Sequence, residues 1–246
     1  MTDAKKLYEA RLNGSILKPG QDIAADTVEA AYKVQKEILS LGKETAQGYK
    51  ISMTSPETQR LFDSSEPVYG PFTGSQVISE LSLTDYNIPL AELELVFYIN
   101  ETVKATDSAD EILAKSTVAP ALELPDGRYE NWFPNISKYE VVADCAVAGA
   151  IVIGEGKSVS CDELDNISGK LLFNGEEIKQ GQSSEVMGHP VNAMKWLIEK
   201  LDSHGRQLEA GQFVSSGTFI LPVKLEPGKY EGVFEGLGNV AIEITK

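Results

Sequence analysis

The stretch Pro89-Leu90-Ala91-Glu92-Leu93-Glu94-Leu95-Val96-Phe97 decides how the chain is read. Branched, aliphatic and aromatic residues run through it, which is the composition of a strand. Side chains alternate between the faces of a strand. Glu92 and Glu94 therefore point one way, and Ala91, Leu93, Leu95 and Phe97 point the other way, into a core. Two carboxylates on one face repel each other, and they find relief in water, in a shared proton or in a cation. An exposed Glu-x-Glu on a half-buried strand is the plain reading. A hard divalent ion such as Mg²⁺ is the other, because it takes oxygen ligands of this kind. That second reading needs a third ligand and a substrate pocket from elsewhere in the chain.

Composition narrows the classes. The chain has 246 residues, 42% of them apolar, and a formal net charge of −15. This is enough apolar material for an ordinary core. The charge argues against a general nucleic-acid binder, which needs clustered Lys and Arg for phosphates. Small anionic substrates stay open if a local lysine, arginine or metal inverts the field. The two cysteines, Cys145 and Cys161, have no zinc-type spacing. Free thiols in a cytoplasmic protein are the simplest reading. Residues Met1 to Leu12 are charged and amphipathic, unlike a signal peptide. The longest apolar run, Ala146 to Ile153, is too short to span a bilayer.

Working outward, Ala4 to Leu12 reads as a short helix closed by Asn13-Gly14. A longer helix follows, capped by Asp26 with Glu29 completing a capping box, and ended at Gly42. Val28, Ala31, Tyr32, Gln35, Ile38 and Leu39 share one of its faces. Gly48 to Met53 reads as a strand and Ser55-Pro56 as a helix start. Glu66 to Ser79 reads as short strands joined by turns. Asp107 or Ser108 caps a helix through Lys115, and Thr117 to Leu124 forms a strand with Glu123 near its end. Pro125 to Tyr139 is an irregular aromatic connection, and Ala146 to Ile153 reads as a buried strand. Asn174-Gly175 marks a hairpin within Leu171 to Ile178. Pro190 to Leu201 is a helix with Trp196 in its packed face, and Gly205 lies beyond its end. Phe213 to Ser216, Lys229 to Phe234 and Val240 to Ile244 complete the strands. Helices fall early and strands late without regular βα alternation, so an α+β fold is expected. No linker divides the chain, so one domain over 1–246 is expected, with a helical part at 1–47 and a β-rich catalytic part at 48–246.

Four segments, in order, carry a resemblance. They are Gly48-Tyr49-Lys50-Ile51-Ser52-Met53-Thr54-Ser55, Ala91-Glu92-Leu93-Glu94, Ala121-Leu122-Glu123-Leu124-Pro125-Asp126-Gly127-Arg128-Tyr129-Glu130-Asn131, and Gly188-His189-Pro190-Val191-Asn192-Ala193. From about Val28 to the C-terminus the chain resembles the hydratase/decarboxylase family of 2-oxo-4-alkenoate metabolism. That family holds 2-oxopent-4-enoate hydratase and 4-oxalocrotonate decarboxylase. The resemblance implies the fold of the fumarylacetoacetate hydrolase catalytic domain, a mixed β-sheet roll or barrel with flanking helices. It implies Glu92, Glu94 and Glu123 as ligands of Mg²⁺ or Mn²⁺ and Lys50 as the active-site lysine, with a pKa lowered by the ion and by burial. It also implies that Arg128, Ser216 and Val68 lie at the substrate. A small 2-oxo acid is then the substrate, and a homo-oligomer, associating with a pathway enzyme, is the expected assembly.

Some residues depart from the family. Pro67-Val68-Tyr69-Gly70 carries Val68 where hydratases usually have Asp, a pull toward decarboxylation. Ser184 to Ala193 looks more like the hydratase branch. Ala143-Asp144-Cys145-Ala146-Val147 lacks the polar groups usual at Cys145 and Val147, which implies a drier pocket. Hydration of 2-hydroxypenta-2,4-dienoate is the first expectation and decarboxylation the alternative. Acylpyruvate hydrolysis ranks lower, because His189 and His204 both lie late in the chain. A binding protein that has kept the fold and lost the reaction is the non-enzymatic alternative. His189 is expected to be structural, Trp132 to be core or pocket wall, and Asp162, Glu163 and Asp165 to form a solvated turn.

Overall fold

Two mixed sheets organise the chain, and the Glu-x-Glu strand runs through the middle of the larger one. The computed structural model describes residues 1–246. The helical start comprises α1 (Asp3–Asn13) and α2 (Val28–Gly42), and β1 (Gly48–Ser52), α3 (Pro56–Leu61), β2 (Val68–Phe72) and β3 (Glu80–Ser82) follow. Next come β4 (Leu90–Ile99), α4 (Ala109–Ala114), β5 (Ser116–Leu124), the single turn α5 (Trp132–Asn135), α6 (Lys138–Ala143) and β6 (Ala150–Ile153). The last part holds α7 (Cys161–Leu164), β7 (Ser168–Phe173), β8 (Glu176–Gln182), α8 (Pro190–Ser203), β9 (Phe213–Thr218), β10 (Val223–Lys224), β11 (Gly228–Phe234) and β12 (Gly238–Thr245).

The larger sheet runs β2-β1-β9-β4-β5-β6, with β10 added against the start of β4; the smaller runs β3-β12-β11-β7-β8. Most pairs are antiparallel, but β1 pairs β9 and β12 pairs β3 in parallel. This mixture, with helices on the outside, is the α+β architecture expected. The two sheets meet through the odd residues of β4. A methyl group on Gly232 of β11 would lie 3.0 Å from a Leu93 methyl, and one on Gly169 of β7 would lie 3.5 Å from the other Leu93 methyl. Ala91, Leu93, Leu95 and Phe97 are wholly buried there. One contiguous core joins these side chains to Ala31, Tyr32 and Ile38 of α2 and to Leu197 and Leu201 of α8.

Local details follow from local chemistry. Gly14 closes α1 in the left-handed region, where its amide donates to the Ala10 carbonyl. Asn174 and Gly175 both take positive φ, as a two-residue hairpin turn requires. The cap of α2 is Thr27 rather than Asp26: its hydroxyl accepts from the Ala30 amide. Trp196 is only half-buried, with Lys200 Nζ 6.0 Å above its ring. Two strands of two or three residues, β3 and β10, went unread because their sequences carry too few residues for a period.

The largest departure is at Ala146 to Ile153. Only Ala150–Ile153 is strand. Cys145, Ala146 and Val147 instead form a tight turn with φ of 55°, 53° and 51°. Three consecutive left-handed residues without a glycine are costly, so the surroundings must hold them. They do so closely: a methyl on Gly70 of β2 would lie 1.9 Å from the Cys145 carbonyl oxygen. No helix is long and apolar enough to cross a membrane.

Candidate active site

The site lies on the face of the larger sheet that turns away from the smaller one. Glu92 and Glu94 lie on β4 with the alternation expected. On β5, Glu123 stands directly opposite Glu92. Residues opposite each other in an antiparallel pair share a face, so the register brings the three carboxylates together. One oxygen from each lies within 4.8 Å of the others. The same face extends through Val96 to Ser215 of β9 and from Ser215 to Lys50 of β1. Lys50 Nζ donates to Glu123 Oε2 at 2.6 Å, and both side chains are buried.

Each carboxylate is held differently. Glu94 Oε2 accepts from the Ser215 hydroxyl at 2.5 Å and from the Gly217 amide at 3.0 Å. The register of β9 slips between Val96 and Glu94, and this bulge aims the Gly217 amide inward. Gly217 has φ of 117°, and a methyl there would lie 2.4 Å from the Thr54 hydroxyl, so no other residue fits. Glu92 has no protein donor and borders the cavity. Glu123 spends one oxygen on Lys50, while its Oε1 is buried without any partner. The loop after β5 fixes the entry to β4. Leu90 donates its amide to the Pro125 carbonyl, the Asp126 carboxylate accepts from the Asn87 and Ile88 amides, and Trp132 Nε1 donates to the Ile88 carbonyl.

Burial and the facing Glu123 push the carboxyls of Glu92 and Glu94 above the usual carboxylate range. Burial alone would lower the Lys50 ammonium, but the attraction of Glu123, Glu92 and Glu94 outweighs it and raises the pKa. The lowering expected at Lys50 supposes a cation on the carboxylates; with the carboxylates alone the ammonium is held up. Lys50 is a cationic donor with protons to spare.

A narrow cavity adjoins this cluster. Lys50, Ser52, Thr54, Thr58, Glu92, Glu94 and Thr218 supply its polar lining, and Phe62, Trp132, Phe133, Val141 and Val147 face it as an apolar wall. Trp132 is thus both core and wall. Thr58 and Thr218 also border an open polar groove of about 470 Å³ that reaches the surface.

Three residues placed at the substrate by the resemblance lie elsewhere. Arg128 turns away. Its Nε donates to Asp144 Oδ1 at 2.6 Å, and its terminal nitrogens donate to the carbonyls of Asp126, Ala148 and Asp144. Four of its five N–H donors are committed to the turn that carries Val147, so it shapes the wall and does not line this cavity. Ser216 is buried in the β9 bulge with its hydroxyl unpartnered, outside the cavity lining; its neighbour Ser215 makes the functional contact. Val68 shares the sheet face but is packed beside Ser52 at the end of β2 and does not line the cavity. His189 caps α8: its Nδ1 accepts from the Val191 amide, which leaves its Nε2–H to donate to the Cys161 carbonyl. Asp162, Glu163 and Asp165 are exposed around α7, with Glu163 completing a capping box. The contacts of Ser215 and Gly217 escaped sequence reading, since a bulge has no periodic signal.

The donor set suits a hard divalent cation. Three carboxylates converge, one buried oxygen has no partner, and two carboxyls resist charge unless something positive joins them. Glu92, Glu94 and Glu123 are the residues that would hold such an ion.

No family model matches the chain, but curated relatives do. The chain is 33% identical over 217 residues to the 2-oxo-hept-4-ene-1,7-dioate hydratase of Escherichia coli, across 82% of this chain and 80% of that protein. It is 30% identical to the 2-hydroxyhexa-2,4-dienoate hydratase of Comamonas testosteroni, across 100% of this chain and 97% of that protein. The solved structure of 4-oxalocrotonate decarboxylase from Pseudomonas putida G7, complexed with magnesium and adipate, matches with a TM-score of 0.88 at 25% identity, covering 98% of this chain and 95% of that one. More distant structures, such as one of the fumarylacetoacetate hydrolase family, share the fold alone. Mixed sheets with flanking helices and an acidic cluster on the larger sheet define a protein of the fumarylacetoacetate hydrolase fold. Within that fold, the chain belongs to the hydratase/decarboxylase family of 2-oxo-alkenoate metabolism.

Proposed function

We propose that the chain is a divalent-metal-dependent lyase acting on a small 2-oxo-alkenoate, with Mg²⁺ or Mn²⁺ as cofactor and hydration as the reaction. The observation that carries this is the convergence of Glu92, Glu94 and Glu123 around a buried, unpartnered carboxylate oxygen, with Lys50 beside them. When bound, the cation supplies a Lewis acid where negative charge gathers on the substrate's keto oxygen.

The chain's own residues supply the rest. Lys50, which donates one proton to Glu123, has further protons with which to hold the substrate carboxylate or the 2-oxygen. Glu123 keeps that ammonium in place through the 2.6 Å bond. Ser215 and the Gly217 amide keep one Glu94 oxygen occupied, which fixes the direction of the other. The hydroxyl-lined side of the cavity, at Thr54, Thr58 and Thr218, adjoins the open groove and gives water a route in. Hydration is then a net addition of water's OH and H across the remote double bond, with charge parked near Lys50 along the way.

Decarboxylation is the second reading, supported by the likeness to 4-oxalocrotonate decarboxylase. Loss of a remote carboxylate leaves the same kind of delocalised anion, so one site serves either reaction. Turnover of 2-hydroxypenta-2,4-dienoate against 2-oxo-3-hexenedioate, with Mg²⁺ or Mn²⁺ present, chooses between them. Water uptake into the first supports hydration; CO₂ release from the second supports decarboxylation; turnover of neither, with metal bound, moves the search to another 2-oxo-alkenoate. An assembly of several copies belongs to the same proposal, and sedimentation velocity checks it.

A further inference from the structure

The substrates in the relatives' names differ, among other things, in whether the far end is charged, and the cavity wall bears on that. Lining the same cavity as Glu92 and Glu94 are Phe62 at the end of α3, Phe133 of α5, Val141 of α6 and Val147 of the left-handed turn. Lys50 is the only cation among the residues lining the cavity, and it is engaged with Glu123. Arg128 is turned toward Asp144, and Lys179 lies out in the open groove.

We infer that Phe62, Phe133, Val141 and Val147 form a tail subsite for an uncharged, apolar chain, so that this protein selects 2-oxo monoacids over 2-oxo dioates. The inference rests on the 2-oxo-acid reading of the site. A hydrocarbon tail gains by burial against these side chains. A second carboxylate there loses its water and finds no donor in return. The protein provides for one carboxylate, at Lys50, and for one only. Two features place Val147 in the wall: the left-handed turn and the Arg128–Asp144 clamp beneath it. The selectivity thus depends on a backbone conformation as well as on side-chain type.

The test uses two saturated six-carbon ligands that cannot be hydrated, 2-oxohexanoate and 2-oxoadipate, which differ at the tail by the second carboxylate. Binding of each to the Mn²⁺-loaded protein is followed by calorimetry. The expected result is tighter binding of 2-oxohexanoate by about tenfold or more. Phe62→Arg sets a cation into the wall at a half-buried position, and there the ratio is expected to fall or reverse while the melting temperature holds. Equal or tighter binding of 2-oxoadipate by the unaltered protein overturns the tail subsite and leaves the lyase reading intact. An unchanged ratio in folded Phe62→Arg also overturns it. Binding of neither ligand overturns both the tail subsite and the 2-oxo-acid reading beneath it.

Discussion

Two buried ionic clusters lie within one loop of each other, and they are built to opposite ends. In the first, Arg128 and Asp144 are closed on themselves. The guanidinium donates to the Asp144 carboxylate and to three carbonyls, and the carboxylate also takes the Arg128 amide. In the second, three carboxylates share one lysine, and Glu123 Oε1 has no partner at all. A protein gains nothing in stability from such a surplus of buried negative charge. The satisfied cluster holds a turn in place, and the unsatisfied one is kept for a ligand. Arg128 and the three glutamates were all candidates at the sequence level; only the glutamate cluster leaves a buried charged oxygen without a partner.

The comparison can be broken from either side. Glu94→Gln should lower turnover by about 10³-fold, because a ligand to the proposed cation is lost. It should leave the melting temperature of the metal-free protein unchanged or higher, since a buried carboxyl that resists charge is replaced by a neutral side chain of the same shape. Steady-state kinetics beside thermal melting checks both halves, and a large drop in melting temperature would count against the contrast. Arg128→Met should do the reverse. It strands Asp144 and is expected to cost about 3 to 5 kcal/mol of stability, read from urea unfolding. Its effect on the kinetics should come only through the Val147 wall, as a raised KM.

A finer test lies at Ser215. Ser215→Ala removes one of two donors to Glu94 without emptying the core. Mn²⁺ affinity should fall by about 10- to 100-fold with little change in melting temperature. Loss of stability without loss of affinity would make Ser215 structural only.

The smallest effect concerns pH. Burial, outweighing Arg128, holds the Asp144 carboxyl up at about 6. The folded chain therefore keeps this proton where the unfolded chain, with an ordinary aspartate near 3.8, has already lost it. More protons bound in the folded state means that this group's contribution falls as pH rises from roughly 4 to 6 and is level above. Melting curves of the unaltered protein and of Asp144→Asn across that window should differ in slope in this sense. Parallel curves would remove Asp144 as the source.

What could be read beforehand follows the range of the interactions. Glu92 and Glu94 share a face because of strand alternation, which is local, and the Asn174-Gly175 hairpin is equally local. Glu123 is different. Its place beside Glu92 depends on the β4–β5 register, set by chain between them that says nothing of carboxylates; only the resemblance pointed to it. The clamp that holds Arg128 was not legible, because a sequence shows a guanidinium without showing which carboxylate packs against it. The run at Ala146 to Ile153 looked like one strand because it is apolar throughout. Its first residues turn left-handed under tertiary packing against Gly70, which composition does not encode. Ser215 and Gly217 reach Glu94 through a bulge, where alternation fails by one residue.

The most direct measurement is titration of the metal-free protein with Mn²⁺, followed by electron paramagnetic resonance, beside the variants Glu92→Gln, Glu94→Gln and Glu123→Gln. One tight ion per chain, lost or strongly weakened in all three, is the predicted result. No tight ion in the unaltered protein, or binding indifferent to Glu123→Gln, would contradict it.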